Sequence, residues 1–287
     1  MSTDSSQRFI FEDSDIRGQL VHLNSSFEEI LNIHAYPEAV AILLGEFLVA
    51  SVLLSSTLKF EGRLILQVRS QGEISLLMAE ATHDSQIRAI ARMEKKVSSR
   101  AFGILLKDAT LVVSVEPKNG ERYQSLVPLL GANLAECLIH YFDQSEQLST
   151  FIQLAAHENV AAGILIQQLP KQLVEDPVVR QDQWQHAIVL AKTAKQEELL
   201  VLENGQLLRR LYVEDEIKLI EPEPVAFKCS CNYERTARAL MMVEADELDT
   251  MFTETPSLEM LCEFCQKKYH FTRESLGEVL RDNTIKH

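Results

Sequence analysis

Two close pairs of cysteines, Cys229-x-Cys231 and Cys262-x-x-Cys265, constrain this chain more than any other feature, because the thirty residues between them make a loop of folding size. Two dithiol arms joined in this way supply the four thiolates of a tetrahedral S4 site, with Zn–S distances of about 2.3 Å. Soft thiolates select zinc over hard cations, and an iron–sulfur cluster is the other group such a set takes. The first pair has one intervening residue where ribbons and fingers usually have two or more. Residues 226–287 therefore read as a small C-terminal zinc-binding domain holding one ion. A module of about sixty residues has a thin core. Structural zinc contributes ~10–16 kcal/mol, as much as a whole domain's stability of ~5–15 kcal/mol.

Two roles are open to the site. Most closed four-cysteine sites simply hold a fold together. A cysteine pair at i, i+2, however, forms a disulfide only at the tight end of the allowed geometry, and strain makes the bond readily reducible. That property suits a switch whose oxidation unfolds the module. Lys228, Lys267 and Lys268 flank the ligands. They either offset the double negative charge of a tetrathiolate zinc centre or are ordinary surface residues.

The net charge of −14 repels phosphate backbones, so nucleic acid and anionic membrane are disfavoured partners. The densest basic cluster before the C-terminus, Arg92, Lys95 and Lys96, reads as a solvated helix face. The stretch from Ala39 to Ser55 is apolar apart from Gly45, Glu46 and small residues. It falls short of the ~20 residues of a membrane span and reads as a buried helix. The opening Met1-Ser2-Thr3-Asp4 lacks the charged and apolar regions of an export signal. Five cysteines without such a signal point to a reducing, cytoplasmic compartment, where clustered thiols hold metal or do redox work. No glycine pair falls at GxG spacing, and neither HExxH nor GxSxG occurs, so no enzyme is indicated. Cys137, on an apolar helix face, reads as a small buried hydrophobe.

The expected fold is α+β: an N-terminal core domain over residues 1–170, with an antiparallel sheet and helices on one side, then a helical linker over 171–225. Strands are expected at Arg63–Arg69, Ile74–Met78 and Thr110–Val115, the last turning at Lys118-Asn119-Gly120 into a partner from Arg122 toward Val127. Pro37 suits the first turn of the apolar helix. Asn133 and Glu136 suggest a capping box for a helix carrying Leu134, Cys137, Leu138 and Tyr141 on one face. A last hairpin joins Thr150–Leu154 to Gly163–Gln168. In the linker, Trp184, Ala187, Ile188 and Ala191 fall at i, i+3, i+4 and i+7. Leu199, Leu200, Leu207, Leu208, Leu211 and Tyr212 follow in short pieces broken at Asn204-Gly205. This segment is too short for its own core and too apolar for an inert tether, so it must dock on a neighbour. Glu221-Pro222-Glu223-Pro224 marks a boundary.

Over essentially its full length the chain resembles the bacterial redox-switched holdase chaperones, the thirty-three-kilodalton heat-shock proteins. The specific marks are Phe227-x-Cys229-Ser230-Cys231 with Glu234-Arg235, and Cys262-Glu263-Phe264-Cys265 with Tyr269 and Phe271. Upstream, Arg17-Gly18-Gln19-Leu20-Val21, Tyr36-Pro37, Thr57-Leu58-Lys59-Phe60-Glu61-Gly62, Gly120-Glu121-Arg122-Tyr123-Gln124 and Leu208-x-Arg210-Leu211-Tyr212 add to it. Asn232-Tyr233, Ser125, Ser70, Glu73 and a short loop around His157–Ala162 depart from the family pattern, and none of these departures replaces a zinc-ligand cysteine.

The resemblance implies a chaperone that needs no ATP. Reduced, it holds zinc on Cys229, Cys231, Cys262 and Cys265, with the linker docked on the N-terminal sheet. Oxidation pairs Cys229 with Cys231 and Cys262 with Cys265 and releases zinc. The module unfolds, the linker undocks, and unfolding client proteins are bound. The oxidised form is a homodimer that passes clients to ATP-driven chaperones. Trp184, Ile188, Leu207, Leu208 and Leu211 are the expected covered surface, though the same stripe would serve as permanent core. The rival readings are a nucleic-acid-binding zinc ribbon and an enzyme whose zinc site is purely structural.

Overall fold

The computed structural model describes residues 4–57 and 61–284. Leu58, Lys59 and Phe60, within one family-like stretch, and Met1-Ser2-Thr3 lie outside the described residues. The chain divides into two compact units, Met1–Lys228 and Cys229–His287.

The first unit is built around α2 (Glu38–Ser55), which follows α1 (Ser25–Ile33) and begins directly after Pro37. A helix apolar all round cannot be satisfied by one sheet and must be buried on every side. Two sheets supply the cover, where the sequence pattern suggested one with helices on one side. The first contains β1 (Ser5–Phe11), β2 (Ile16–Leu23), β8 (Thr150–His157), β9 (Val160–Gln168) and the short β10 (Ile217–Leu219), in the order β10-β1-β2-β9-β8, with β11 (Glu223–Pro224) also on β1. The second runs β12-β5-β4-β3-β6-β7, from β3 (Gly62–Arg69), β4 (Leu76–Thr82), β5 (Gln86–Arg92), β6 (Thr110–Pro117), β7 (Tyr123–Pro128) and β12 (Ala226–Phe227). All pairings are antiparallel except β12 on β5. Leu44, Phe47, Leu48 and Leu53 of α2 share one core with Leu66, Ala79 and Leu165 from both sheets. The helix approaches closely: a Cβ on Gly45 would lie 2.8 Å from Ala156 Cβ and from Phe27 Cζ. It is long and apolar enough to cross a membrane, but 78% of it is buried inside the fold.

Burial has a titration consequence at Glu46 of α2, whose carboxyl is pushed up to about 7 by desolvation. A raised carboxyl favours the protonated folded form, so stability falls as pH rises from about 4.5 through about 7 and levels off above that. Glu46→Gln should therefore gain up to about 3 kcal/mol at pH 8 and nothing at pH 4. Urea midpoints of the two proteins at both pH values check this; equal gains at both would refute it.

Several expected elements shift. Ile74 is fully buried, but its N–H bonds Leu105 O at 3.0 Å, so β4 starts two residues later, at Leu76, and runs on to Thr82. The turn before it is held by Ser70, whose Oγ accepts from Gly72 N at 2.9 Å, while the Glu73 carboxylate accepts from Ser98 N at 3.0 Å. Both departures from the family pattern thus carry local bonds. Asn133 caps α4 (Leu134–Tyr141), accepting from Glu136 N at 2.9 Å. The returning Glu136 carboxylate takes Ala132 N at 2.8 Å rather than the Asn133 N–H. The last hairpin is longer than expected and turns on Glu158-Asn159, with Glu158 in the left-handed region at φ 50°. A single turn, α3 (Phe102–Leu105), completes the second sheet's surroundings.

Residues 171–225 pack within the first unit as α5 (Pro177–Ala191), α6 (Gln196–Val201) and α7 (Asn204–Leu211). The break before α7 falls at Leu202-Glu203, and Asn204-Gly205 opens the helix instead of interrupting it. Asp15, buried between β1 and β2, fastens the start of this segment. Its carboxylate accepts from the N–H groups of Gln172, Leu173 and Val174 at 3.1, 2.8 and 3.3 Å and pairs with Arg180. Burial alone would raise the Asp15 carboxyl, but these donors and the guanidinium outweigh it and hold it below the usual carboxylate range.

Candidate metal centre

In the second unit a hairpin of β13 (Leu258–Leu261) and β14 (Lys268–Phe271) ends in the loop that carries Cys262 and Cys265. Cys262 N donates to Lys267 O at 2.9 Å and Gln266 N to Cys262 O at 2.7 Å, with Gln266 at φ 55°. These bonds turn the chain so that both sulfurs face inward. Cys231 lies just before α8 (Tyr233–Leu240), whose cap is Asn232, accepting from Arg235 N at 2.8 Å. Asparagine and serine cap equally well, so this departure from the family pattern preserves the local structure. Cys231 consequently sits at the positive end of a helix, where negative sulfur is favoured.

The fold brings all four sulfurs within 4.8 Å of one another. Two contacts cross between the arms: Cys229 to Cys262 at 3.6 Å and Cys231 to Cys265 at 3.5 Å. A tetrahedron with metal–sulfur bonds of 2.3 Å has edges of about 3.8 Å, close to the two contacts between the arms, so the cluster could hold a metal ion. Tyr269, not singled out from sequence as a site residue, donates its hydroxyl to Cys231 Sγ at 3.1 Å. Burial would raise the Cys231 thiol, yet the Tyr269 hydroxyl and the neighbouring sulfurs outweigh it and bring it to about 7. Burial and neighbouring thiols push Cys265 and Cys229 up instead. One sulfur is thus biased toward thiolate before metal arrives. The signal for Tyr269 was its position just after the second cysteine pair, on the strand leaving the loop.

The flanking lysines differ. Lys267 Nζ lies 5.3 Å from the centroid of the Tyr269 ring, and Lys268 pairs with Glu259 at 3.0 Å. The core beneath is thin: Ala237, Leu240, Leu258, Tyr269, Phe271 and Leu276 are its buried members. The unit also contains α9 (Ala245–Glu254), with no buried residue, and α10 (Arg273–Thr284).

The other residues singled out from sequence gather in the first unit. Trp184, Leu207, Leu208 and Leu211 are buried, and Ile188 is half-buried, in one cluster with Phe9, Phe11, Leu20, Ile164 and Ile166 of the first sheet. That is the face opposite α2. Phe9 closes it, its ring so close over Gly18 that a Cβ there would lie 2.1 Å from Phe9 Cζ. Tyr212 adds its hydroxyl to Ala187 O at 2.9 Å. Cys137 is buried and remote in sequence from the other thiols.

A family profile described as Hsp33 protein matches residues 4–272. The chain belongs to the Hsp33 family. The 33 kDa chaperonin of Pseudomonas aeruginosa (strain LESB58) is 45% identical over 280 residues, covering 96% of this chain and 94% of the relative. The 33 kDa chaperonin of Azotobacter vinelandii is 42% identical over 279 residues, covering 96% and 94%. The crystal structure of the 33 kDa chaperonin of Thermotoga maritima matches the fold with a TM-score of 0.78 at 22% identity, covering 99% of this chain and all of that one. Family membership makes the chain a chaperone by kinship, with a cysteine cluster suited to metal.

Proposed function

We propose that this Hsp33-family chain is a redox-regulated, ATP-independent holdase of the cytoplasm, with the four thiolates of Cys229, Cys231, Cys262 and Cys265 holding one zinc ion in the resting state. The observation that carries the reading is a four-sulfur cluster in a unit whose core has six buried members among the described residues. Zinc, when bound, supplies the link that keeps that unit folded. Oxidation to Cys229–Cys231 and Cys262–Cys265 disulfides removes the ligands. Every sulfur of the cluster lies within 4.8 Å of every other, so pairing within each arm requires only local turning.

Loss of the second unit's fold then weakens docking of residues 171–225, and the apolar faces of Trp184, Ile188, Leu207, Leu208 and Leu211, with the sheet beneath them, become available to unfolding clients. The oxidised form pairs as a homodimer and hands clients to ATP-driven chaperones. The acidic surface, at a net charge of −14, supports the exclusion of nucleic acid as partner. The direct test follows light scattering of a heat-denatured client with reduced and peroxide-treated protein, while zinc release is recorded with a chromogenic chelator. Suppression of scattering should appear only after zinc leaves; equal activity in the reduced protein, or none after zinc loss, would sink the reading.

A further inference from the structure

Two stretches that carry the family resemblance take no part in the metal centre or in the covered helices: Arg17-Gly18-Gln19 on β2, and Thr57 just beyond α2. The fold brings them to one cavity of about 180 Å³, lined by Arg8, Arg17, Gln19, Ser56 and Thr57. Across the β1–β2 ladder Arg8 stands opposite Gln19 and Arg17 opposite Ile10. The two arginines are therefore diagonal neighbours on one face, about 7–8 Å apart at the backbone.

The other polar groups of the wall are already committed. Ser56 Oγ donates to Leu53 O at 2.8 Å, Thr57 Oγ1 to Leu54 O at 2.7 Å, and Gln19 Nε2 to Ser6 Oγ. Each guanidinium has five N–H donors. Arg8 spends one on Glu223 at 2.7 Å, and Arg17 spends one on the neutral Gln167 amide at 2.9 Å. Among the described residues Arg17 has no carboxylate partner. The one acid at hand, Glu223, is half-exposed. Burial, and then the neighbouring charge of Arg8, pull the Arg17 guanidinium below its ordinary value. Leu165 and Ile220 close the remaining wall and lower the local dielectric.

We propose that this cavity binds a single tetrahedral oxyanion of phosphate or sulfate size, clamped between the guanidinia of Arg8 and Arg17. Planar guanidinium forks match such an anion bidentately, and each of the two guanidinia keeps N–H groups beyond the one it spends on Glu223 or Gln167. A cavity of about 180 Å³ admits one such group. Because Arg8 also fastens Glu223 of β11, the anion sits where the end of the linker returns to β1. A ligand that binds only this folded arrangement stabilises it.

The test uses the full-length, reduced, zinc-loaded protein. Inorganic phosphate, sulfate and O-phosphoserine are titrated by calorimetry at constant ionic strength set with chloride. Saturable binding is expected, with Arg17→Gln weakening it at least about tenfold and Arg69→Gln, which removes an equal charge from an exposed site, leaving it unchanged. Tighter binding of phosphate than of O-phosphoserine assigns a free anion; the reverse assigns a phosphate ester presented by a larger molecule. Should Arg17→Gln reduce folding, Arg8→Gln on the half-exposed partner reads the same loss. Heats no greater than chloride produces, or affinities equal in parent and both clamp variants, overturn the proposal.

Discussion

Removing the zinc proposed for the reduced protein will unfold residues 229–287 and leave the 1–228 unit intact. The reason is the imbalance between core and centre. The six buried side chains among the described residues, several at the margin of burial, cannot offset ordering a segment of this length, because fixing each residue costs about 1–2 kcal/mol of entropy. A tetrathiolate zinc site contributes ~10–16 kcal/mol, and without it four sulfurs lie together with nothing to hold their charge. The first unit has its own core, in which Phe27, Phe47, Leu48 and Leu66 are fully buried, and depends on none of these sulfurs. Hydrogen exchange read after chelation is the measurement. Amides of the loop and hairpin, such as Cys262 N and Gln266 N, should lose more than a hundredfold of their protection, while those of β2 and β9 keep theirs. Cys262→Ser or Cys265→Ser should reproduce the effect without chelator. Retained protection across residues 258–271 in metal-free protein would show that the hairpin stands alone, and the switch would lose its physical basis.

Leu207→Asp will release the linker helices and give a protein that restrains client aggregation while still reduced and metal-loaded. Leu207 is 2% exposed in the cluster that joins α5–α7 to Phe9, Phe11 and Ile166. An ionised carboxylate there has no partner, and burying one uncompensated exceeds 4 kcal/mol, more than a short docked segment can bear. The helix is expected to leave the sheet rather than accept the charge. Asp15→Ala should do the same more gently from the other end, since it removes three backbone acceptor bonds and the pairing with Arg180. The Asp15 contribution is complete above the unfolded carboxyl value of about 3.9 and disappears as pH falls through its lowered folded value. At neutral pH it is therefore fully present, and the substitution should be felt there. Limited proteolysis should cut both variants between residues 171 and 225 without oxidant, with zinc content unchanged. Enhanced cutting with no effect on client scattering would separate undocking from chaperone activity and refute the proposed role of the covered face.

Much of the site was legible in one dimension because its constraints are local. A thiol pair two or three residues apart forms one arm of a site wherever the chain goes, so Cys229, Cys231, Cys262 and Cys265 identified themselves by spacing. The i, i+3, i+4, i+7 run of Trp184, Ala187, Ile188 and Ala191 is a helix property, and α5 buries that stripe. Asn133 announces its helix because a cap acts over three residues. What escaped depends on partners distant in sequence. β5 has a buried arginine in mid-strand, which argues against a strand until Glu80, one strand over, meets it at 2.6 Å. β1 and β2 are held by pairing with each other and with strands from residues 160–168 and 217–224. Tyr269 reaches Cys231 only because a hairpin folds back on the first arm.

The sequence by itself determined the chemistry: which four atoms can grip a metal, which helix must be buried, and that the segment before the cysteines needs a surface to lie on. Tertiary structure alone decided that α2 takes two sheets, that the linker covers the face beneath Phe9 and Gly18, and that Arg8 and Arg17 share a cavity with the end of α2. The physical reason is range. Ligand spacing, capping and amphipathic periodicity act within a few residues, whereas strand partners and the convergence of remote charges depend on how the whole chain closes around its core.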